Sequence, residues 1–223
     1  MTKHTTSSSK NSSNNILFKH MFASAYKLGL FMFVCIILLL ITDHLTAPKI
    51  AYEHRQAMLK TFNQVLPPHL YNNIPLEDTL IISDPKQFTQ LGSEYPVTIY
   101  RARKDSQPAG LIFQITARNG YSGHINLLMG VLPNGKISGV RVLEHRETPG
   151  LGDKIERQKS NWILSFNGQT IQPNQPNDPR WAVKKDGGDF DQFTGATITP
   201  RAVVGAVKKA LLFIQQRGES LYE

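Results

Sequence analysis

Residues 124–143 read HINLLMGVLPNGKISGVRVL, two apolar runs joined by Pro133, Asn134 and Gly135. Asn-Gly between apolar runs is a strong hairpin signal, because both residues tolerate the positive φ of a tight antiparallel turn. The stretch predicts paired strands at His124–Val131 and Lys136–Leu143. Toward the N-terminus, similar runs predict strands at Thr79–Ser83, Pro96–Arg103 and Ala109–Ala117, with turns at Gln107-Pro108 and Asn119-Gly120. The expected fold class is α+β, a single domain over residues 76–223 in which an antiparallel sheet is flanked by helices.

Two helices frame this sheet. One is expected over Ala51–Val65, where Ala51, Arg55, Met58, Leu59 and Phe62 fit a helical pattern that Pro67-Pro68 ends. The other follows Thr199-Pro200, a capping threonine with proline at the first helical position. Val203, Val204, Val207, Leu211 and Ile214 recur along one face of it, and Gly218 marks its end.

The N-terminal region has a different character. Residues 1–20 are rich in Ser, Asn, Thr and Lys, without an apolar period, and are expected to form a disordered tail. Leu28–Ile41 is uninterrupted apolar sequence between Lys27 and Asp43. Alone it is short for a span and also fits a signal-peptide core. An uncleaved anchor over residues 21–45 is favoured, because the apolar stretch extends back to Met21 if Lys27 snorkels and no cleavage signal precedes Pro48. Residues 46–75 then form a helical linker. Lys3, Lys10, Lys19 and Lys27 precede the span and no acidic residue does, so the tail is expected in the cytoplasm and the body in the periplasm of a bacterium.

The chain has 223 residues and a formal charge of +8, but its basic residues are dispersed and match no nucleic-acid motif, which argues against nucleic-acid binding. The only cysteine, Cys35, lies in the apolar segment, so the body has neither a disulfide nor a thiolate metal site. His124 and His145 lack a partner at metal-ligand spacing, and no metal is expected. Asp186, Asp189 and Asp191 lack the glycine placement and distal glutamate of a calcium loop and read as a solvated acidic loop. Dinucleotide and phosphate-loop motifs are absent from the sequence.

Three stretches carry candidate chemistry. In Asp191–Pro200, DQFTGATITP, Thr197 precedes the expected helix, where free N–H groups and the helix dipole favour a phosphate. Gly195 and Ala196 leave its hydroxyl approachable. In Glu144–Lys154, EHRETPGLGDK, a tight turn places Glu147 and backbone N–H groups at a strand end. That turn can bind a planar ring by its edge, or it can be an ordinary strand-to-helix connection. Gly120–Ile125, GYSGHI, is a glycine-rich turn entering the hairpin. Lys184 and Lys185 either approach a bound phosphate or are surface charge.

Together these stretches resemble the FMN-binding domain of the G subunit of the Rnf (Rsx) electron transport complex, most closely over Gly120–Ala210. The resemblance implies a single-span inner-membrane flavoprotein within a complex that couples electron transfer between ferredoxin and NAD to ion movement. FMN is then covalent, joined through its phosphate to Thr197 by a flavin transferase, with Thr194, Gly195 and Ala196 flanking the linkage. Glu147, Thr148 and Leu151 match the loop that lines the flavin, and Asp191 matches a transferase-recognition position. No catalytic side chain is implied, and the partners are the rest of the Rnf complex, the transferase and membrane lipid. The Ser/Asn-rich tail before Lys19 departs from the family's short N-terminus. The C subunit of the sodium-pumping NADH:quinone oxidoreductase shares the threonine linkage, but generally has serine where Thr194 stands. A membrane-anchored scaffold without a redox role is the alternative from another class.

Overall fold

The computed structural model describes residues 8–172 and 175–222, with side chains at Met21 and from Ala25 onward within those ranges. The chain divides into two compact units, Met1–Ala57 and Met58–Glu223.

The described residues of the first unit, from Ser8, lie within one long helix, α1, Ser8–Val65. Its portion Ala25–Val65 is long and apolar enough to cross a membrane, and the protein buries none of its most apolar window. The helix continues through Pro48, although proline there cannot donate to the His44 carbonyl. It also begins earlier than composition predicts. Residues 1–7 of the expected disordered tail lie outside the described residues, but from Ser8 the backbone is helical. Extending an existing helix avoids the nucleation cost that a separate polar segment would face.

The second unit is built on an antiparallel sheet whose strands follow chain order: β1 Thr79–Ile82, β2 Val97–Lys104, β3 Gln107–Ala117, β4 Ile125–Val131 and β5 Ile137–Glu144. Every expected strand is present within two residues of its predicted bounds. A short helix, α2 Pro85–Gln90, joins β1 to β2, and the Asp84 carboxylate caps it by accepting from the Lys86 N–H at 2.9 Å.

The β2–β3 turn is displaced from its expected place. It is made by Asp105 and Ser106, at φ 50° and 66°, while Gln107 and Pro108 already belong to β3. Aspartate tolerates positive φ, and Pro108 lies opposite Arg103 beside a register shift at Ala102/Arg103. A missing N–H is accommodated at such an irregularity.

Both sheet faces are covered, which explains why β3 and β4 are apolar nearly throughout. On one face α3, Ile198–Arg217, packs Val203, Val204, Val207 and Leu211 against a core containing Phe113, Ile115, Leu127 and Met129. On the other, Phe62, Val65 and Leu66, in and just beyond the last turns of α1, meet Ala102, Ile112 and Leu128.

That second contact is unusually close. A Cβ on Gly130 would stand 2.6 Å from the Val65 carbonyl oxygen, and one on Gly139 would stand 2.8 Å from Val65 Cα. The two glycines form a notch for the helix end. Ser138 hydroxyl donates to the Val65 carbonyl at 2.5 Å, satisfying one of the acceptors a helix C-terminus leaves open.

Between β5 and α3 the backbone is largely irregular, with single turns of 3-10 helix at Gly152–Ile155, Trp162–Phe166 and Lys184–Asp186. An aromatic cluster organises it: the Phe166 ring lies 4.7 Å from that of Phe190, and Trp162 lies 5.2 Å from Phe193. Packing of these rings fixes the segment that leads into α3.

Candidate functional site

The approach to α3 ends in a tight turn, closed by the Ala196 N–H donating to the Phe193 carbonyl at 3.0 Å. Gly195 in this turn has φ 80°, a left-handed conformation in which a side chain is strained. The helix begins at Ile198, earlier than Thr199-Pro200 predicts, and Thr197 occupies its N-cap position.

Thr197 is half-buried and its hydroxyl makes no capping bond. The backbone N–H groups of Ile198 and Thr199 have no acceptor among the described residues. A free hydroxyl therefore stands beside free helix N-terminal donors, an arrangement suited to a phosphate group.

These residues open onto a cleft of about 630 Å³, whose lining includes Glu147, Thr148, Leu151 and Gly152 opposite Gly195, Ala196 and Thr197. Clefts of roughly 300–1,000 Å³ hold cofactor-sized ligands. Tyr121 and Lys185 complete the wall, and Tyr121, Leu151 and Ile198 leave apolar surface exposed at its mouth.

Glu147 joins the three candidate stretches. It is buried, one carboxylate oxygen accepting from the Ser122 N–H at 2.9 Å and the other from the Thr199 hydroxyl. The first bond fixes the 120–124 turn, and the second fixes the start of α3. Thr199 therefore serves Glu147 instead of capping the helix, as the sequence pattern implied. Two glycines leave the carboxylate room, since a Cβ on Gly120 would come within 2.9 Å of Glu147 Oε1 and one on Gly152 within 3.0 Å of Oε2.

His145 orients the same loop. Its Nδ1 accepts the Glu147 N–H at 3.0 Å, so Nε2 carries the proton and donates to Glu156 Oε1 at 2.7 Å. The Thr148 carbonyl then accepts from Leu151 and Gly152, at 3.1 and 3.0 Å, closing the turn predicted from Thr-Pro-Gly. His124 is engaged elsewhere, with Nδ1 3.2 Å from the Arg118 carbonyl.

Not every predicted residue reaches the cleft. Thr194 is exposed and lies outside the lining. Asp191 is also outside it, exposed and paired with Lys184 at 2.6 Å, while its carbonyl accepts from the Trp162 indole at 2.7 Å. The adjacent carboxylate raises the Lys184 ammonium above its ordinary pKa. Of the two lysines only Lys185 faces the cleft. The acidic loop is tied to α3, because Arg201 donates to both oxygens of Asp186 at 2.6 and 2.8 Å and holds that carboxyl below the usual range. Tyr121, Gly152, Ile198 and Thr199 are additions to the predicted set. Position alone marks them: Tyr121 lies within the glycine-rich turn, and Ile198 and Thr199 immediately follow Thr197.

The cleft falls within a match to the family described as FMN-binding domain, over residues 120–212. Residues 11–65 match the RnfG N-terminal region. The chain is 42% identical over 198 residues to the G subunit of the ion-translocating oxidoreductase complex of Shewanella loihica, covering 89% of this chain and 91% of that one. It is 45% identical over 194 residues to the corresponding G subunit of Vibrio cholerae, covering 86% and 90%. Against that of Pseudomonas aeruginosa the identity is 45% over 203 residues, covering 91% and 92%. A crystal structure of Shewanella oneidensis NqrC shares 21% identity and a TM-score of 0.44, covering 71% of this chain and 70% of that one. With agreement near 45% across nine-tenths of the Vibrio and Pseudomonas relatives, and with both family segments in order, the chain belongs to the RnfG family, the G subunits of ion-translocating oxidoreductase complexes.

Proposed function

We propose that this chain carries FMN as a phosphoester of Thr197 and acts as an electron-carrying subunit of an ion-translocating complex that couples ferredoxin and NAD chemistry to ion movement. The observation that carries the reading is the uncapped Thr197 hydroxyl at the start of α3, facing a cleft of cofactor size. The Ile198 and Thr199 N–H groups would receive the phosphate oxygens, and the helix dipole favours their charge. Glu147, Thr148 and Leu151 would line the ring. Lys185 is positioned to offset negative charge at the same cleft.

Attachment replaces the threonine O–H by an O–P bond. A flavin transferase would take FMN from FAD, breaking the bond between the two phosphates and releasing AMP, with the hydroxyl proton passing to a base of the transferase. Exposure of Thr194 and Asp191 leaves the approach to Thr197 open, which suits recognition by a second protein. When bound, the flavin supplies the electron transfer, and the protein supplies tethering, orientation and electrostatic tuning. The apolar helix of α1 would act as a single inner-membrane span, with the N-terminus cytoplasmic and the sheet domain periplasmic.

Intact mass tests the linkage. The chain expressed with a flavin transferase and exported is expected to gain one FMN less one water, and its Thr197→Ala variant to gain nothing. A labelled Thr197→Ala protein would place the linkage elsewhere. An unlabelled parent would remove the phosphoester reading.

A further inference from the structure

A second cleft, of about 880 Å³, lies away from Thr197 between the last turns of α1, the end of β5 and residues 156–158. Arg141, His145, Glu156 and Arg157 contribute to its walls. Arg141 is poorly accommodated there. Its Nη1 donates to the Val140 carbonyl at 2.7 Å, but its Nε is buried without a hydrogen-bond partner among the described residues. Burial, and then the charge of Arg157, pull its guanidinium below the ordinary pKa. A partly desolvated cation pressed by a like charge is unfavourable unless something neutralises it.

The nearby carboxylates do not. Glu156 is taken by His145, and Glu144 accepts from the Asn126 amide at 3.4 Å. Among the described residues neither arginine forms an ion pair with either glutamate. The folded chain thus leaves two guanidinium groups, neither paired with a carboxylate among the described residues, on the wall of a space large enough for a ligand. Guanidinium groups match oxyanions in both charge and planar donor geometry.

We propose that this second cleft binds an oxyanion, a carboxylate or phosphate, held by Arg141 and Arg157. The anion is either free in solution or a carboxylate presented by a neighbouring protein of the complex. The site does not depend on flavin attachment, although residues of the same 144–156 loop line both clefts.

The test compares thermal unfolding of the purified full chain in inorganic phosphate and in chloride at matched ionic strength. For a free anion, the midpoint rises saturably in phosphate, by about 3–6 °C at tenfold excess over Kd. Arg157→Ser abolishes that rise without lowering the midpoint in chloride, since it also removes the like charge beside Arg141. For a partner carboxylate, phosphate has no effect, but Arg157→Glu releases the chain from the rest of the complex when the assembly is purified from membranes. The proposal is overturned if phosphate and chloride are equivalent and Arg157→Glu co-purifies at the parental yield. It is also overturned if Arg157→Ser lowers the midpoint in chloride, because the arginine then has a structural role.

Discussion

Replacing Thr199 by valine removes one hydroxyl from the buried centre of the candidate site and keeps the β-branched shape. In the parent that hydroxyl donates to Glu147 Oε2, while Oε1 is held by the Ser122 N–H at 2.9 Å. Thr199 is fully buried and Glu147 is 4% exposed, so water cannot readily replace the lost donor. A hydrogen bond to a charged group contributes about 1.5–3 kcal/mol, and losing it here leaves a carboxylate oxygen under-satisfied. At about 2–4 °C per kcal/mol for a domain of this size, the melting midpoint should fall by roughly 3–12 °C. Glu147→Gln should cost less, about 1 kcal/mol, because the amide oxygen can still accept from Ser122 while the Thr199 hydroxyl turns to accept from the amide nitrogen. The assay is urea or thermal unfolding of the detergent-solubilised chain, followed by fluorescence of Trp162 and Trp181. The double variant should be less destabilised than the sum of the singles, by at least about 0.5 kcal/mol. A Thr199→Val protein within about 0.5 kcal/mol of the parent, or strict additivity, would refute the bridging role of Glu147.

Other expectations follow from separate features. Gly139→Ala should cost about 1–3 kcal/mol or more, since its Cβ meets only backbone atoms, Val65 Cα at 2.8 Å and Val65 oxygen at 2.9 Å, and no rotamer change relieves the clash; chemical denaturation measures it, and an unchanged midpoint would disprove the close approach. Gly195→Ala should lose about 1 kcal/mol through its φ of 80°, and it should slow flavin labelling of Thr197 in a time course; parental rate and stability together would show that the turn is not needed. Burial raises the Tyr222 phenol from 10.0 to about 12. The neutral form is therefore favoured by folding, so stability should be intact below about pH 10 and decline as pH rises through about 12. The loss is at most about 2.7 kcal/mol for two pH units, and less after allowance for partial exposure. Ultraviolet titration beside unfolding curves checks this, and a phenol titrating with the exposed tyrosines would contradict it.

What was legible in advance depended on the range of the interaction involved. Alternating apolar runs and Asn134-Gly135 are local signals, and the five strands appear where they point. The buried stripe Val203, Val204, Val207, Leu211 and Ile214 was likewise visible from its spacing. Thr197, Glu147, Thr148 and Leu151, predicted from separated motifs, converge on one cleft because the 145–152 loop folds back onto the start of α3. The errors involve competition between local and distant partners. Thr199 has the local credentials of a cap, but a carboxylate 52 positions earlier takes its hydroxyl. Gln107-Pro108 looked like a turn because proline cannot donate, whereas the register shift in the neighbouring strand admits it. The second cleft was invisible, since Arg141 and Arg157 become neighbours only after the loop between them has folded.

The glycine notch also determines how far the chain can be shortened. Phe62, Val65 and Leu66 fill the sheet face that Gly130, Gly139 and Ala102 leave shallow. A protein trimmed to begin after Leu66 would keep all five strands and α3, yet it would expose Ile112 and Leu128 to water and leave Ser138 without its acceptor. Such a fragment would invite aggregation through the bared sheet face. A water-soluble version of the body should therefore begin no later than Met58, where the second compact unit starts.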